Sequence, residues 1–167
     1  CDAWHVYVAR GLGRPRADRS SAAGGGAFEK PPHVFVGVFD HPDAVPSRRS
    51  RALQLLEEQP HRLRVVALEY AHREDGADNL WQKMHHMLLH AHTASLGEFD
   101  WFAKVDPDAI FVGANFRRLV QARYPEPERP FFVGHLLRHR SLPINGGCSY
   151  AFSRGGLRLL GPALEQV

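Results

Sequence analysis

Two acidic side chains one residue apart, Asp106 and Asp108, close the apolar run Trp101-Phe102-Ala103-Lys104-Val105, with Pro107 between them. Carboxylates at this spacing at a strand exit can point the same way and share a divalent cation, and oxygen donors of this type suit Mg²⁺ or Mn²⁺. Such an ion neutralises a diphosphate and assists its departure as a leaving group. Pro107 fixes its own φ and biases Asp106 towards extended backbone, which keeps the pair at a strand end. Asp and Pro also favour turns for purely local reasons, so on spacing alone the segment reads as a turn before it reads as a metal site. His86 and His90, at i and i+4, could share a cation, but no third ligand is specified and they fall beside the polar side of a helix. The expectation for His85, His92, His135 and His139 is solvated surface. Cys1 and Cys148 show no metal-ligand spacing.

The elements that must position these residues alternate between strands and helices. Strands are predicted at Trp4–Ala9, Val34–Phe39, Leu63–Leu68, Trp101–Val105, Phe131–Leu136 and Ser149–Phe152. Leu63–Leu68 is nearly continuous in apolar residues, as expected of a strand covered on both faces. Ser47 caps a predicted helix to about Gln59. A second helix starts near Asp78, its predicted N-cap, and carries Leu80, Met84, Met87, Leu88 and Ala91 as one apolar stripe. Trp81 falls one position off that stripe; it either flanks a ligand or sits at the core edge, with the core edge favoured. A third helix spans Asn115–Tyr124, and a fourth runs from Gly155 onward, interrupted at Gly161-Pro162. Residues 11–30, rich in Gly, Arg, Ser and Ala, read as a long flexible loop. The alternation argues an α/β fold, a mostly parallel sheet flanked by helices, in which ligands sit outside the carboxyl ends of the strands.

Bulk properties narrow the class of partner. A chain of 167 residues forms one domain with a real core. Its net charge of +3 is spread over separated arginine clusters among acidic residues. There is no basic helix or aromatic-interleaved patch of the kind that reads nucleic acid, so no nucleic-acid partner is expected. No run reaches the ~20 apolar residues of a membrane span. The chain opens at Cys1 directly into a strand-like run, so its start is expected to be internal to a longer protein.

Asp78-Asn79-Leu80-Trp81-Gln82-Lys83, then Asp100-Trp101-Phe102-Ala103-Lys104-Val105-Asp106-Pro107-Asp108, then Phe132-Val133-Gly134 and Asn145-Gly146-Gly147-Cys148-Ser149-Tyr150-Ala151-Phe152-Ser153 occur in this order. Together they resemble the core 1 β1,3-galactosyltransferase branch of the Fringe-like β1,3-glycosyltransferases. The similarity runs from about Leu63 to Leu160, and more loosely back to Cys1. It implies a GT-A (Rossmann-like) catalytic domain spanning residues 1–167 in part. The implied activity is metal-dependent, inverting transfer of a hexose, galactose in this branch, from a UDP-sugar to a glycoprotein or glycan acceptor. For this branch that acceptor is O-linked N-acetylgalactosamine, and the linkage is β1,3. By the same resemblance Asp108 binds Mn²⁺ (or Mg²⁺) with the donor diphosphate, and Asp106 lies near the ribose or the metal. Lys83 contacts the donor diphosphate or is a surface lysine at a helix start. Asp75 lies near the donor or in a solvated loop. Gly146 and Gly147 border the acceptor, although paired glycines also serve a plain turn. Golgi residence on the lumenal side, with a membrane anchor in the full-length protein, is implied by the resemblance alone.

The chain also departs from the pattern. Asp-Pro-Asp stands where the family carries three acidic residues, and Cys148 and Ser149 replace small residues after the glycines. The resemblance places the catalytic carboxylate base and a metal-binding histidine downstream of Leu160, beyond Val167. This chain is therefore expected to be C-terminally truncated, with the donor half of the machinery and no transfer of its own. The same residues allow two other readings. One is a glycosyltransferase-like binding protein or chaperone without catalysis. The other is a haloacid-dehalogenase-type phosphatase with Asp106 as nucleophile; that motif normally opens its domain, whereas here three strands precede it.

Overall fold

A computed structural model describes residues 4–8, 31–40, 63–69, 80–106, 109–135 and 149–166. The predicted helix at 47–59 and the loop at 11–30 lie outside them. Six strands form one sheet in the order β1-β5-β6-β4-β2-β3, with β1 at Trp4–Val8, β2 at Val34–Asp40, β3 at Leu63–Glu69, β4 at Trp101–Val105, β5 at Phe131–His135 and β6 at Tyr150–Ser153. Each strand lies within a residue or two of its predicted span. β4 pairs in parallel with β2, and β2 with β3, whereas β6 runs antiparallel to both β4 and β5, and β1 antiparallel to β5. Strands β2, β3, β4 and β5 share one direction, but only two of the five pairings are parallel. The sheet is mixed, which sharpens the expectation of a mostly parallel one. The physical reason is β6: it enters between two parallel-running strands from the opposite end, so both of its ladders are antiparallel.

Period-two alternation sorts the strand residues onto two buried faces. On one face Val34, Val36, Val38, Trp101, Ala103, Val105, Phe131, Val133 and Ala151 pack with Phe111 and with Phe116 and Val120 of α2 (Gly113–Arg123). Trp101 anchors this layer, stacked on Phe131 at 6.3 Å between ring centres and edge-on to Phe116 at 5.7 Å. On the other face Phe35 and Phe102 pack with Met87, Leu88 and Ala91 of α1 (Leu80–Ser95) and with Leu157 and Leu164 of α3 (Arg154–Leu164). From Met84 onward the apolar stripe of α1 is buried as its spacing predicts, with Met84 packed at the margin. Helices therefore cover both faces of the sheet, which is the layering of an α/β protein.

α3 begins at Ser153, a fully buried hydroxyl that accepts from the Gly156 amide (3.1 Å) as an N-cap. The same oxygen accepts from the Phe131 amide (2.9 Å) and donates to the Arg129 carbonyl (2.5 Å), tying the helix start to the edge of β5. The predicted interruption at Gly161-Pro162 does not occur: α3 runs through Pro162 to Leu164. Pro162 has no N–H to offer the Arg158 carbonyl one turn back, but only two helical residues follow it, and Leu164 is held by its burial and by the contact of His85 Nε2 with its carbonyl (2.7 Å). Gly161 is needed for a different reason, because the His92 ring occupies the space that a Cβ there would fill.

A charged clamp closes the sheet at the start of β4. Arg154 reaches Asp100 (2.6 Å), Glu128 (2.7 Å) and the Phe99 carbonyl (2.8 Å), while Asp100 accepts from the His33 amide (2.8 Å). Arg158 adds a bond to the other oxygen of Glu128 (2.6 Å). Gly155 fits beneath the 125–130 segment, its amide on the Pro127 carbonyl (2.8 Å), and a Cβ there would overlap the Glu128 carbonyl. Backbone cannot give way as a side chain can, so Gly155→Ala should lower stability by about 2–3 kcal/mol in urea denaturation. Gly97→Ala, with nothing within 4 Å of its added methyl, should be neutral or slightly stabilising.

The hydrogen bond from Arg158, helped by Arg154, holds the Glu128 carboxyl below its ordinary range, against a weaker effect of burial. A carboxylate lowered in the folded state stabilises fully above the unfolded value, and that contribution is lost as pH falls through the lowered one. Wild type should therefore exceed Glu128→Gln in stability at neutral pH. The gap should close below about pH 4 in melts recorded across the acid range.

Candidate functional site

β4 ends at Val105, and the next residue, Asp106, stands at the carboxyl end of a strand flanked by β2 and β6. α1 runs back against the sheet: His90 lies beside Phe35 (6.4 Å between rings), and Met87 lies over Gly37, two residues further along β2. The start of α1 is thus carried towards the carboxyl ends of β2 and β4. Lys83, one turn before Met87 (~5.4 Å along the axis), lies in that first turn with 8% of its surface exposed. It is neither of the surface kind nor remote from the strand exit. Trp81 is not a core-edge residue, being 55% exposed, with its ring against that of His85 (5.8 Å). It lies in the first turn, before the stripe meets the sheet.

Below Asp106 the register sets a row of residues side by side: Gly37 on β2, Lys104 on β4, Tyr150 on β6 and Gly134 on β5. Lys104 is 2% exposed, and its ammonium binds Asp106 Oδ1 and lies 5.9 Å from the centre of the Tyr150 ring. The Lys104 side chain is 3% exposed, against 23% for Asp106, so the cation is sealed in the sheet and the carboxylate emerges at its rim. Asp106 Oδ2 has no hydrogen-bond partner among the described residues. Tyr150 is 3% exposed, and its hydroxyl likewise has no partner there. Burial raises the Tyr150 phenol well above its ordinary value, and the negative charge of Asp106 adds to the rise. Phe132 and Phe152, stacked at 4.3 Å, wall the phenol on its other side. Ser149, which leads into β6, adopts φ 73°, a left-handed backbone costing a non-glycine residue about 1–2 kcal/mol.

The structure therefore brings Lys83 and Asp106 to the same end of the sheet. Asp75, Asp108, Gly146 and Gly147 lie outside the described residues, as do Cys1, Cys148 and His139. Sequence reasoning missed Lys104 and Tyr150. The available signals were a lysine in an otherwise apolar strand and the tyrosine three residues beyond the paired glycines. The expectation of solvated histidines fails where ring nitrogens are engaged or buried. His85 binds the Leu164 carbonyl, His92 is wedged against Gly161, and His135 Nδ1 is buried without a partner among the described residues. His86 is exposed and His90 lies beside Phe35; no group of three or more His, Cys, Asp or Glu among the described residues is placed to hold a metal.

A cleft of about 170 Å³, lined by Pro32, Asp100, Trp101, Val120, Gln121 and Tyr124, opens at the other end of β4. Its one carboxylate, Asp100, is already bound by Arg154 and the His33 amide. Among the described residues, Asp106 Oδ2 and the Tyr150 hydroxyl, at the opposite end of the strand, have unspent hydrogen-bonding capacity, which makes that end the candidate site.

No known protein-family profile matches the chain. Among solved structures it is similar to a glycosyltransferase involved in the glycosylation of the major capsid of PBCV-1. The sequence identity is 12% and the TM-score 0.49, over 80% of this chain and 66% of that one, so the chain spans just under two thirds of that protein's length. What fold and site define together is an α/β protein with a polar site at the carboxyl end of its central strand. Tyr150→Phe removes a buried hydroxyl that makes no hydrogen bond among the described residues. Thermal denaturation should show it as stable as wild type or up to about 1 kcal/mol more so.

Proposed function

We propose that this chain belongs to a metal-dependent glycosyltransferase that uses a sugar nucleotide, and that Asp106 marks its donor site. The observation that carries the reading is the place of Asp106, at the carboxyl end of β4, the end of the sheet towards which α1 starts, with one carboxylate oxygen uncommitted among the described residues. The ordered motifs that resemble the core 1 β1,3-galactosyltransferases support it, and the mixed sheet with helices on both faces fits the GT-A architecture they imply. On that resemblance the donor is a UDP-sugar, with galactose as the hexose, and the acceptor is O-linked N-acetylgalactosamine. Residence would be in the Golgi lumen. Among the described residues no helix is long and apolar enough to cross a membrane.

The residues fit a hard divalent cation in donor chemistry: Asp106, partly exposed at the rim, keeps one carboxylate oxygen without a partner among the described residues, and Asp108 follows within two residues. Asp106 and Asp108 would hold Mn²⁺ or Mg²⁺, whose contribution is charge neutralisation at the donor diphosphate. Lys83, carried to the same end by α1, supplies further positive charge towards a phosphate. Gly146 and Gly147 permit close approach of an acceptor sugar to backbone, and Asp75 is assigned to the donor side. The buried Lys104 and the aromatic wall of Tyr150, Phe132 and Phe152 keep water from beneath the carboxylate.

Calorimetric titration with UDP tests the reading. Wild type should bind UDP in the presence of Mn²⁺ and at least roughly tenfold more weakly without it, and Asp108→Ala should abolish the metal dependence. UDP binding indifferent to metal in wild type would sink the proposal. Acid-stable phosphorylation of Asp106 is not expected, but trapping an aspartyl-phosphate there from a phosphate ester would favour the phosphatase alternative instead.

A further inference from the structure

Lys104 is out of character for its surroundings. Every residue of β4 is buried, and the strand lies between two others with a helical layer on each face. An ammonium in such a place is strongly disfavoured unless paired and hydrogen-bonded. On either side in the register stand Gly37, over which Met87 closes, and Tyr150, whose ring lies beside the ammonium. Among the described residues the charge is paired with the carboxylate of Asp106, two residues along the chain and therefore on the same side of the strand. Their burial differs sharply: the lysine is enclosed and the aspartate is at the rim. A rim carboxylate bound to solvent alone would rotate freely, whereas one tied through Oδ1 to a fixed point has its second oxygen held in one direction.

We propose that Lys104 is a positioning residue of the donor site, fixing the Asp106 carboxylate through Oδ1 so that Oδ2 is presented to the nucleotide–cation complex; this rests on the reading of Asp106 given above. Tyr150 serves as the surface on which the ammonium is held. The role differs from a stabilising ion pair in what it predicts. Removing one member of a buried ion pair is costly chiefly because the charge left behind stays buried, and Asp106, at the rim, is open to solvent. Lys104→Met should therefore keep the fold while freeing the carboxylate to turn.

The test is calorimetric titration of UDP in saturating Mn²⁺ on the whole chain as wild type, Lys104→Met, Asp106→Asn and the double variant, with thermal midpoints for each. Lys104→Met is expected to melt with wild type yet bind roughly tenfold more weakly. In the Asp106→Asn background the same change should alter affinity less than about twofold, because the lysine acts through the carboxylate. Equal affinity of folded Lys104→Met and wild type overturns the positioning role while leaving the donor site intact. So does an equal loss with and without Asp106. Absence of Mn²⁺-dependent binding in wild type overturns the donor-site reading, and the positioning role with it. Should Lys104→Met fail to fold, Lys104→Gln, which keeps an N–H donor without the charge, gives the same comparison. It is expected to fall between the two, and affinity equal to wild type there overturns the role.

Discussion

The organisation of this domain follows from one constraint: a strand buried on both faces carries a positive charge. Trp101, Ala103 and Val105 turn one side of β4 into core, and Phe102 does the same on the other. Lys104 alone breaks the apolar pattern, one residue before the strand ends. Neutralisation has to come from a group at the same edge, and Asp106 is the nearest position on that side. The acidic residue at the strand exit is thus tied to the interior of the protein rather than appended to it, and the polar site inherits the rigidity of the sheet.

The two ends of β4 contrast in their electrostatics. At its start the charges are mutually saturated: Arg154 is shared between Asp100 and Glu128, and Asp100 is shared between Arg154 and the His33 amide. At its finish one carboxylate oxygen and one phenol remain uncommitted among the described residues. A ligand that meets the uncommitted carboxylate oxygen displaces no existing bond, and the phenol stays sealed behind Phe132 and Phe152, whereas a ligand at the other end would compete with a short, multiply bonded clamp.

Much of this was legible in the sequence. β4 and the buried stripe of α1 were readable because their periodicity is unambiguous and their packing obeys it. The position of Asp106 at a strand exit followed directly. The antiparallel insertion of β6 was not readable, since Tyr150–Ser153 has the same apolar character whichever way it runs and its partner is chosen by the sheet. The continuation of α3 through Pro162 was hidden because Gly-Pro is a helix-ending signal locally, whereas the last turn is held by the burial of Leu164 and the His85 contact, which the local sequence does not show. Trp81, expected at the core edge, is exposed, and Lys83, for which a surface position was one of two readings, is buried. Their separation by two positions sets them on different sides of the helix, and the stripe alone does not say how far burial extends into the first turn. Lys104 was overlooked because a lone lysine within a strand reads as a fault in an apolar pattern.

Ser153 links local and distant structure through a single oxygen. It caps α3, receives the first amide of β5 and donates to the carbonyl of Arg129, across 22 to 24 residues of chain. An eleven-residue helix is marginal in isolation, and here its first turn is completed by an atom whose burial requires β5 and β6 to be paired already. Helix and strand pair are thus parts of one cooperative unit: α3 gains its N-terminal cap in the act of joining the sheet.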